Sequence, residues 1–201
     1  MRVALFGGTF DPPHHGHLSL ATAAADAFHL DTVLFTPSGR QPLKPEGTPT
    51  PFSDRLAMTT LACLPDTRFA ASNLDTPRPD GAPNYTVDTL EALQHLLPSA
   101  KLFNLVGADS LLNLPHWREP DRLLELAEWI VVSRPGFSLE DLSALNLTSR
   151  QRSRIHLLQN VHEDVAATTL RHRLQAGDPC FDLLSPAVSA YILDHHLYQN
   201  G

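Results

Sequence analysis

An apolar run, Val3 to Phe6, ends at Gly7-Gly8. Leu18, Ala21, Ala25 and Phe28 then recur at helical spacing, ahead of a second β-rich run from Thr32 to Thr36 that Pro37 closes. No other stretch restricts the fold so strongly. Strand, glycine turn, helix and strand in that order fit one βαβ crossover, the connection that parallel strands require. The pattern continues along the chain. It predicts a helix from about Ser53 to Leu64, a strand near Arg68 to Ala71, a helix from Thr86 to Leu97, and strands at Leu102 to Val106 and Trp129 to Ser133. Continuous apolar strands alternating with amphipathic helices indicate a doubly wound α/β domain with a parallel sheet, whose ligands bind beyond the carboxyl ends of the strands.

Two segments interrupt this alternation. Gly39 to Pro51 holds four prolines in thirteen residues, and Asn73 to Pro83 holds Pro77, Pro79, Gly81 and Pro83. Neither composition suits regular structure, and long irregular segments in a compact domain often cover a site. Near the end, a helical stretch from Thr168 to Gln175 stops at Gly177. Ser185-Pro186 forms an N-cap and first-turn pair for a last helix through His195. We therefore expect one domain over 1–201, with a core over about 1–160 and a small C-terminal helical subdomain over about 161–201.

Charge narrows the set of partners. Fifteen Lys+Arg stand against 22 Asp+Glu, a net charge of −7, whereas nucleic-acid binding needs clustered cations for phosphate contacts. No nucleic-acid partner is expected, and any anionic ligand must meet local positive groups. Cys63 and Cys180 lie far apart and in no paired metal spacing, which suits a reducing cytoplasm. No apolar run reaches the roughly 18 residues of a membrane span, and the glycine pair follows too early for a signal peptide. The expectation is a cytoplasmic protein without a membrane segment. Its oligomeric state is left open, a homo-oligomer included.

The chemistry concentrates in Gly7-Gly8-Thr9-Phe10-Asp11-Pro12-Pro13-His14-His15-Gly16-His17-Leu18. Glycines let the backbone approach a phosphate, and the following helix presents N–H groups and the positive end of its dipole to an anion. His14 and His17 are three apart at the start of that helix, so both can address the same oxygen atoms and stabilise charge developing on a phosphoryl group. Polar-turn histidines without a catalytic role, and a three-histidine metal site, are the other readings of the motif. No cysteine or further histidine at zinc spacing supports the metal.

GGTFDPPHHGHL resembles the signature of the nucleotidyltransferase superfamily with the H-x-G-H motif. Asn84-Tyr85-Thr86-Val87-Asp88-Thr89-Leu90, Gly107-Ala108-Asp109-Ser110 with Trp117, and Ser133-Arg134-Pro135-Gly136 follow in the order of the bacterial nicotinate mononucleotide adenylyltransferases. The similarity runs to Pro186, Val188, Tyr191, Ile192, Leu197 and Tyr198. It implies a Rossmann-like fold and transfer of AMP from ATP to nicotinate mononucleotide, giving nicotinate adenine dinucleotide and pyrophosphate. Mg²⁺ would arrive with ATP, on phosphate and water oxygens, with no protein metal cage. By this resemblance Gly8, Thr9, Phe10, His14, His17, Gly107, Asp109, Thr168 and Arg171 bind ATP. His14, His17, Lys44 and Arg171 carry the catalysis. Arg40, Lys44, Tyr85, Thr86, Trp117 and Arg134 meet the acceptor, Trp117 by stacking and Tyr85-Thr86 through backbone N–H groups, with Thr86 also a candidate N-cap. Asp11 shapes the turn.

The chain departs from that pattern twice. Val165-Ala166-Ala167-Thr168-Thr169-Leu170-Arg171 stands where the family has Ile-Ser-Ser-Thr-x-Ile-Arg, so two hydroxyl donors are absent. Arg40-Gln41-Pro42-Leu43-Lys44 stands for Asn-Pro-Pro-His-Lys. Other acceptors, nicotinamide mononucleotide or phosphopantetheine, and a nucleotide sensor without turnover therefore remain as alternatives. An RNA-binding relative of the synthetases fits poorly with the charge.

Overall fold

The computed structural model describes residues 1–42, 50–132, 142–143, 145–159 and 167–199. Six parallel strands, β1 (Arg2–Gly8), β2 (Thr32–Pro37), β3 (Phe69–Ala71), β4 (Lys101–Gly107), β5 (Glu128–Val132) and β6 (Ile155–Leu158), form one sheet in the order β3-β2-β1-β4-β5-β6. The order reverses between β1 and β4. At that switch the crossovers leave to opposite faces and open a crevice at the carboxyl ends of the two strands.

Both faces of the sheet are covered, which explains the nearly unbroken apolar strands. Val3 and Leu5 of β1, with Leu102 and Val106 of β4 and Trp129 of β5, pack on α3 (Thr86–Leu96) and α5 (Pro120–Leu126). The alternate residues Ala4, Phe6, Phe103, Leu105 and Ile130 pack on α1 (His15–Phe28), whose Leu20, Ala21, Ala24 and Ala25 present a narrow small-residue stripe. A third cluster joins Met58 and Ala62 of α2 (Phe52–Cys63) to Leu170 and Leu174 of α7 (Ala167–Gln175) and to Val188 and Ile192 of α8 (Pro186–Asp194). The C-terminal helices thus rest on α2. Ser185 caps α8 by accepting the Val188 N–H, and Pro186 supplies the first turn.

Several boundaries differ from those the sequence suggests. The first helix begins at His15, because extended His14 already serves as its N-cap. Likewise Tyr85, at φ −120 and ψ 138, is the last extended residue before α3, so Thr86 is the first helical residue and not the cap. The third strand begins at Phe69, since Arg68 is engaged in the turn with Asp66. The fifth spans Glu128–Val132, and Ser133 lies outside the described residues. The edge strand β6, the short helices α4 (Ala108–Leu112), α5 and α6 (Ser149–Arg152), and a 3-10 turn at Leu114–His116 are additions to the expected elements.

Candidate active site

A cleft of about 460 Å³ opens at the β1/β4 switch point. Gly7, Gly8 and Thr9 from the end of β1 form one side of its mouth, and Gly107 and Asp109 from the end of β4 form the other. Tyr85, Thr86 and Trp117 also line it, so four of the residues that the sequence marks for nucleotide (Gly8, Thr9, Gly107 and Asp109) and three of those it marks for the acceptor share one cavity. Trp117 is half-buried, with its ring 5.7 Å from that of Trp129 behind it, and Tyr85 carries the Arg118 guanidinium 4.7 Å above its ring. Tertiary packing thus fixes two aromatic side chains in the cleft.

The histidines do not line this cavity; they stand at the start of α1, beyond the turn Phe10–Pro13. Phe10 adopts φ 47, and its buried ring turns back beneath Gly8, where an added Cβ would sit 2.9 Å from the ring. The same ring lies edge-on to His17 at 5.0 Å. Gly8 is therefore required by this close approach, and Phe10 links the glycine mouth to the histidine pair. Its side chain belongs to the core, so only its backbone is available to a ligand.

His14 and His17 are brought together, with ring centroids 3.7 Å apart. The His14 backbone N–H donates to His17 Nδ1 at 3.2 Å. An imidazole that accepts at Nδ1 and remains neutral carries its proton on Nε2, so this bond sets the tautomer and leaves a fixed N–H donor. Neutrality follows from the surroundings. Burial first, and the adjacent His14 second, hold His17 well below the usual histidine range; burial and then His15 lower His14 to about 4. The helix does not offer all its first N–H groups to an anion, because the His15 N–H is already engaged by the Leu183 carbonyl at 2.8 Å.

A pH dependence follows from His14. Its folded pKa of about 4 lies below the ordinary value of 6.5, so between these values the unfolded chain binds more protons and stability rises with pH. That contribution is present above about pH 6.5 and disappears as the pH falls to about 4. Urea unfolding of the wild type should gain up to about 1.4 kcal/mol per pH unit from this group across the window. His14→Gln should reduce that slope; identical slopes for the two proteins would contradict the buried neutral imidazole.

The C-terminal helices complete the histidine end. Arg171 donates through Nη1 to the Asp11 carbonyl at 3.0 Å and through Nη2 to Thr168 Oγ1 at 3.4 Å. Tyr198 donates its hydroxyl proton to Asp11 Oδ1, and burial first, with Asp11 beside it, raises the Tyr198 pKa. Asp11, 2% exposed, is held from two sides by residues more than 150 positions away in sequence.

The remaining site expectations divide. Arg40 does not line the cleft. Its Nη1 donates to Gly81 O at 2.6 Å, while its backbone N–H meets Asn84 Oδ1 at 3.0 Å, which ties the two proline-rich loops together. Gln41, bonded to Ser38 Oγ at 2.8 Å, takes the lining position instead. Lys44, Arg134, Val165 and Ala166 lie outside the described residues. Residues that sequence reasoning missed include Asn104, Asp75, Thr89 and Arg118 in the cleft, and buried Arg55 behind it. No group of three or more metal-ligating side chains is present among the described residues.

The cytidylyltransferase-like family model matches residues 5–173. A protein of Corynebacterium kroppenstedtii is 39% identical over 98% of this chain and 90% of its own length. One from a Roseiflexus species is 40% identical over 98% of each. Both carry the description "Probable nicotinate-nucleotide adenylyltransferase". The chain belongs to this family of nicotinate-nucleotide adenylyltransferases. The fold agrees: the Plasmodium falciparum nicotinic acid mononucleotide adenylyltransferase complexed with NaAD superposes with a TM-score of 0.73 at 15% identity, over 98% of this chain and 97% of that one. Within the nicotinate-nucleotide adenylyltransferase fold, this chain sets Tyr85 and Trp117 in the switch-point crevice and its histidine pair at the start of α1, beyond the turn that follows the glycine mouth. Among the described residues no helix is long and apolar enough to cross a membrane.

Proposed function

We propose that the cleft joins ATP to nicotinate mononucleotide, transferring AMP and releasing pyrophosphate in NAD biosynthesis. The observation that carries this reading is the close pair of neutral histidines His14 and His17, the second with its tautomer fixed, just beyond the glycine mouth of the cleft that Trp117 and Tyr85 line. The phosphate oxygen of the mononucleotide attacks the α-phosphorus; the bond from that phosphorus to the oxygen bridging to the β-phosphorus breaks, and pyrophosphate leaves with the electron pair. The attacking phosphate is already an anion, so no general base is needed and catalysis is positioning with charge stabilisation.

In this reading Gly8, Thr9 and Phe10 bring backbone atoms to the triphosphate, while His14, His17, Lys44 and Arg171 donate to its oxygens. Gly107, Asp109 and Thr168 meet the nucleotide. Tyr85 and Thr86 present N–H groups at the start of α3 to the ring carboxylate, Trp117 stacks on the ring, and Arg134 acts on the acceptor side, while Arg40 joins the two proline-rich loops there without touching the acceptor. Imidazole N–H, guanidinium and backbone N–H groups suit phosphate oxygens and not a hard cation, which takes oxygen ligands. Mg²⁺ accordingly belongs on the ATP phosphates, where it neutralises charge. We read 1–201 as one cytoplasmic domain, the helices from about 161 onward closing the histidine end.

Pyrophosphate release from ATP and Mg²⁺ tests the reading, with nicotinate mononucleotide, nicotinamide mononucleotide and phosphopantetheine in parallel. Release should be fastest with the acid mononucleotide. Release with only another acceptor would reassign the substrate, and ATP binding without any release would make the protein a sensor.

A further inference from the structure

The floor of the cleft holds a hydrogen-bond donor that none of the described residues uses. Asn104, the fourth residue of β4, is 2% exposed, and its Nδ2 has no hydrogen-bond partner among the described residues. A buried donor left unmade is costly, whereas an apolar side chain of similar size is not. Strand alternation puts Asn104 on the face of Leu102 and Val106, towards α3, and it lines the cleft beside Leu5, Thr89 and Leu123. An amide among leucines at the bottom of a ligand cavity calls for an acceptor that arrives with the ligand.

Depth selects which part of the ligand that is. Asn104 lies three residues before Gly107, about 10 Å below the mouth at the usual rise of a strand. The phosphate-binding groups stand at the mouth, so a planar base is what reaches the floor. The aromatic faces of Tyr85 and Trp117 are in the same cavity. Of the two bases, the pyridine is the one with an exocyclic carboxylate.

We propose that Asn104 is a specificity-determining residue whose Nδ2–H donates to the carboxylate on the pyridine ring of the acceptor mononucleotide, an inference that rests on the nicotinate mononucleotide reading above. Donation to a carboxylate is charge-assisted and stronger than donation to the neutral oxygen of a carboxamide, so this contact favours the acid. Asp75 also lines the cleft and accepts the Thr89 hydroxyl proton. Burial draws its carboxyl towards the neutral form, which lessens the charge that an anionic ring substituent meets.

The test is calorimetric titration of the full chain with nicotinate mononucleotide and with nicotinamide mononucleotide, for wild type, Asn104→Leu and Asn104→Asp, with thermal midpoints for each. Asn104→Leu should weaken the acid by about 10- to 100-fold and the amide by clearly less. Its midpoint should hold or rise, because the unmade donor is gone. Asn104→Asp, of nearly the same shape, should repel the acid and move the amide-to-acid affinity ratio above that of wild type; it carries the test if the leucine variant fails to fold. Wild-type acid affinity in Asn104→Leu, or equal losses for acid and amide, would overturn the role of Asn104 alone. A wild type that binds neither mononucleotide would instead overturn the functional reading, and this role with it.

Discussion

Replacing His17 with alanine should lower kcat by about 10²- to 10³-fold, the usual effect of removing one preorganised donor from a developing oxyanion. The expected size rests on the tautomer. His17 Nδ1 is occupied by the His14 N–H at 3.2 Å, and the ring is braced by Phe10 at 5.0 Å and by His14 at 3.7 Å. The Nε2 proton therefore needs no reorganisation when charge develops on the transferring phosphoryl group. Because burial keeps the ring neutral, its contribution is a directed dipole and should persist over the range in which an ordinary histidine titrates. His17→Asn retains an acceptor for the His14 N–H, so it should preserve folding while losing rate. A kcat within a few-fold of wild type in both variants would remove His17 from the mechanism.

The sequence displays the sheet because its four central strands, β2, β1, β4 and β5, are largely buried and read as nearly continuous apolar runs. The glycine turn and the histidine spacing are equally visible, since they are local. Edge strand β6 is not, because Arg154 precedes it and His156 interrupts it. Only in the fold does Glu128 Oε2 meet His156 Nε2 at 2.8 Å and make a polar residue acceptable there. Asn104 is hidden for a related reason: within Leu102 to Val106 one amide looks like a tolerated exception, and its meaning depends on a cavity to which β1, β2 and the helices α3 to α5 contribute. The tautomer of His17 and the clasp of Tyr198 and Arg171 on Asp11 likewise depend on contacts that no spacing records. Arg40 shows the converse. A cation in a substrate loop suggests an anion contact, yet the fold uses its guanidinium on the Gly81 carbonyl.

Arg55 is the strongest instance, and replacing it with methionine should be the most destabilising single change at this site. A lone arginine in the first turn of a helix ordinarily reads as a solvated side chain, but here it is 1% exposed. Its Nη1 donates to Thr9 O at 2.8 Å, its Nη2 to Ser38 O at 2.8 Å and its Nε to Thr50 O at 3.1 Å. One planar fork thus joins the loop after β1, the loop after β2 and the residue that leads into α2. Burial lowers its pKa, while Asp11 and Tyr198 oppose that shift by favouring the charged form. Methionine would fill much of the volume but leave three carbonyls without their donor and remove one of the cations near Asp11, a loss of about 3–5 kcal/mol. In a chain of this size that lowers the thermal midpoint by roughly 10 °C or more. Since Thr9 and Ser38 both line the cleft, the KM for ATP should rise as well. Arg55→Lys should recover only part of either loss, because one ammonium cannot span three carbonyls in the geometry of a guanidinium. A midpoint within 2 °C of wild type for the methionine variant would show that the loops hold their places without the clamp, and full recovery by lysine would show that charge alone suffices.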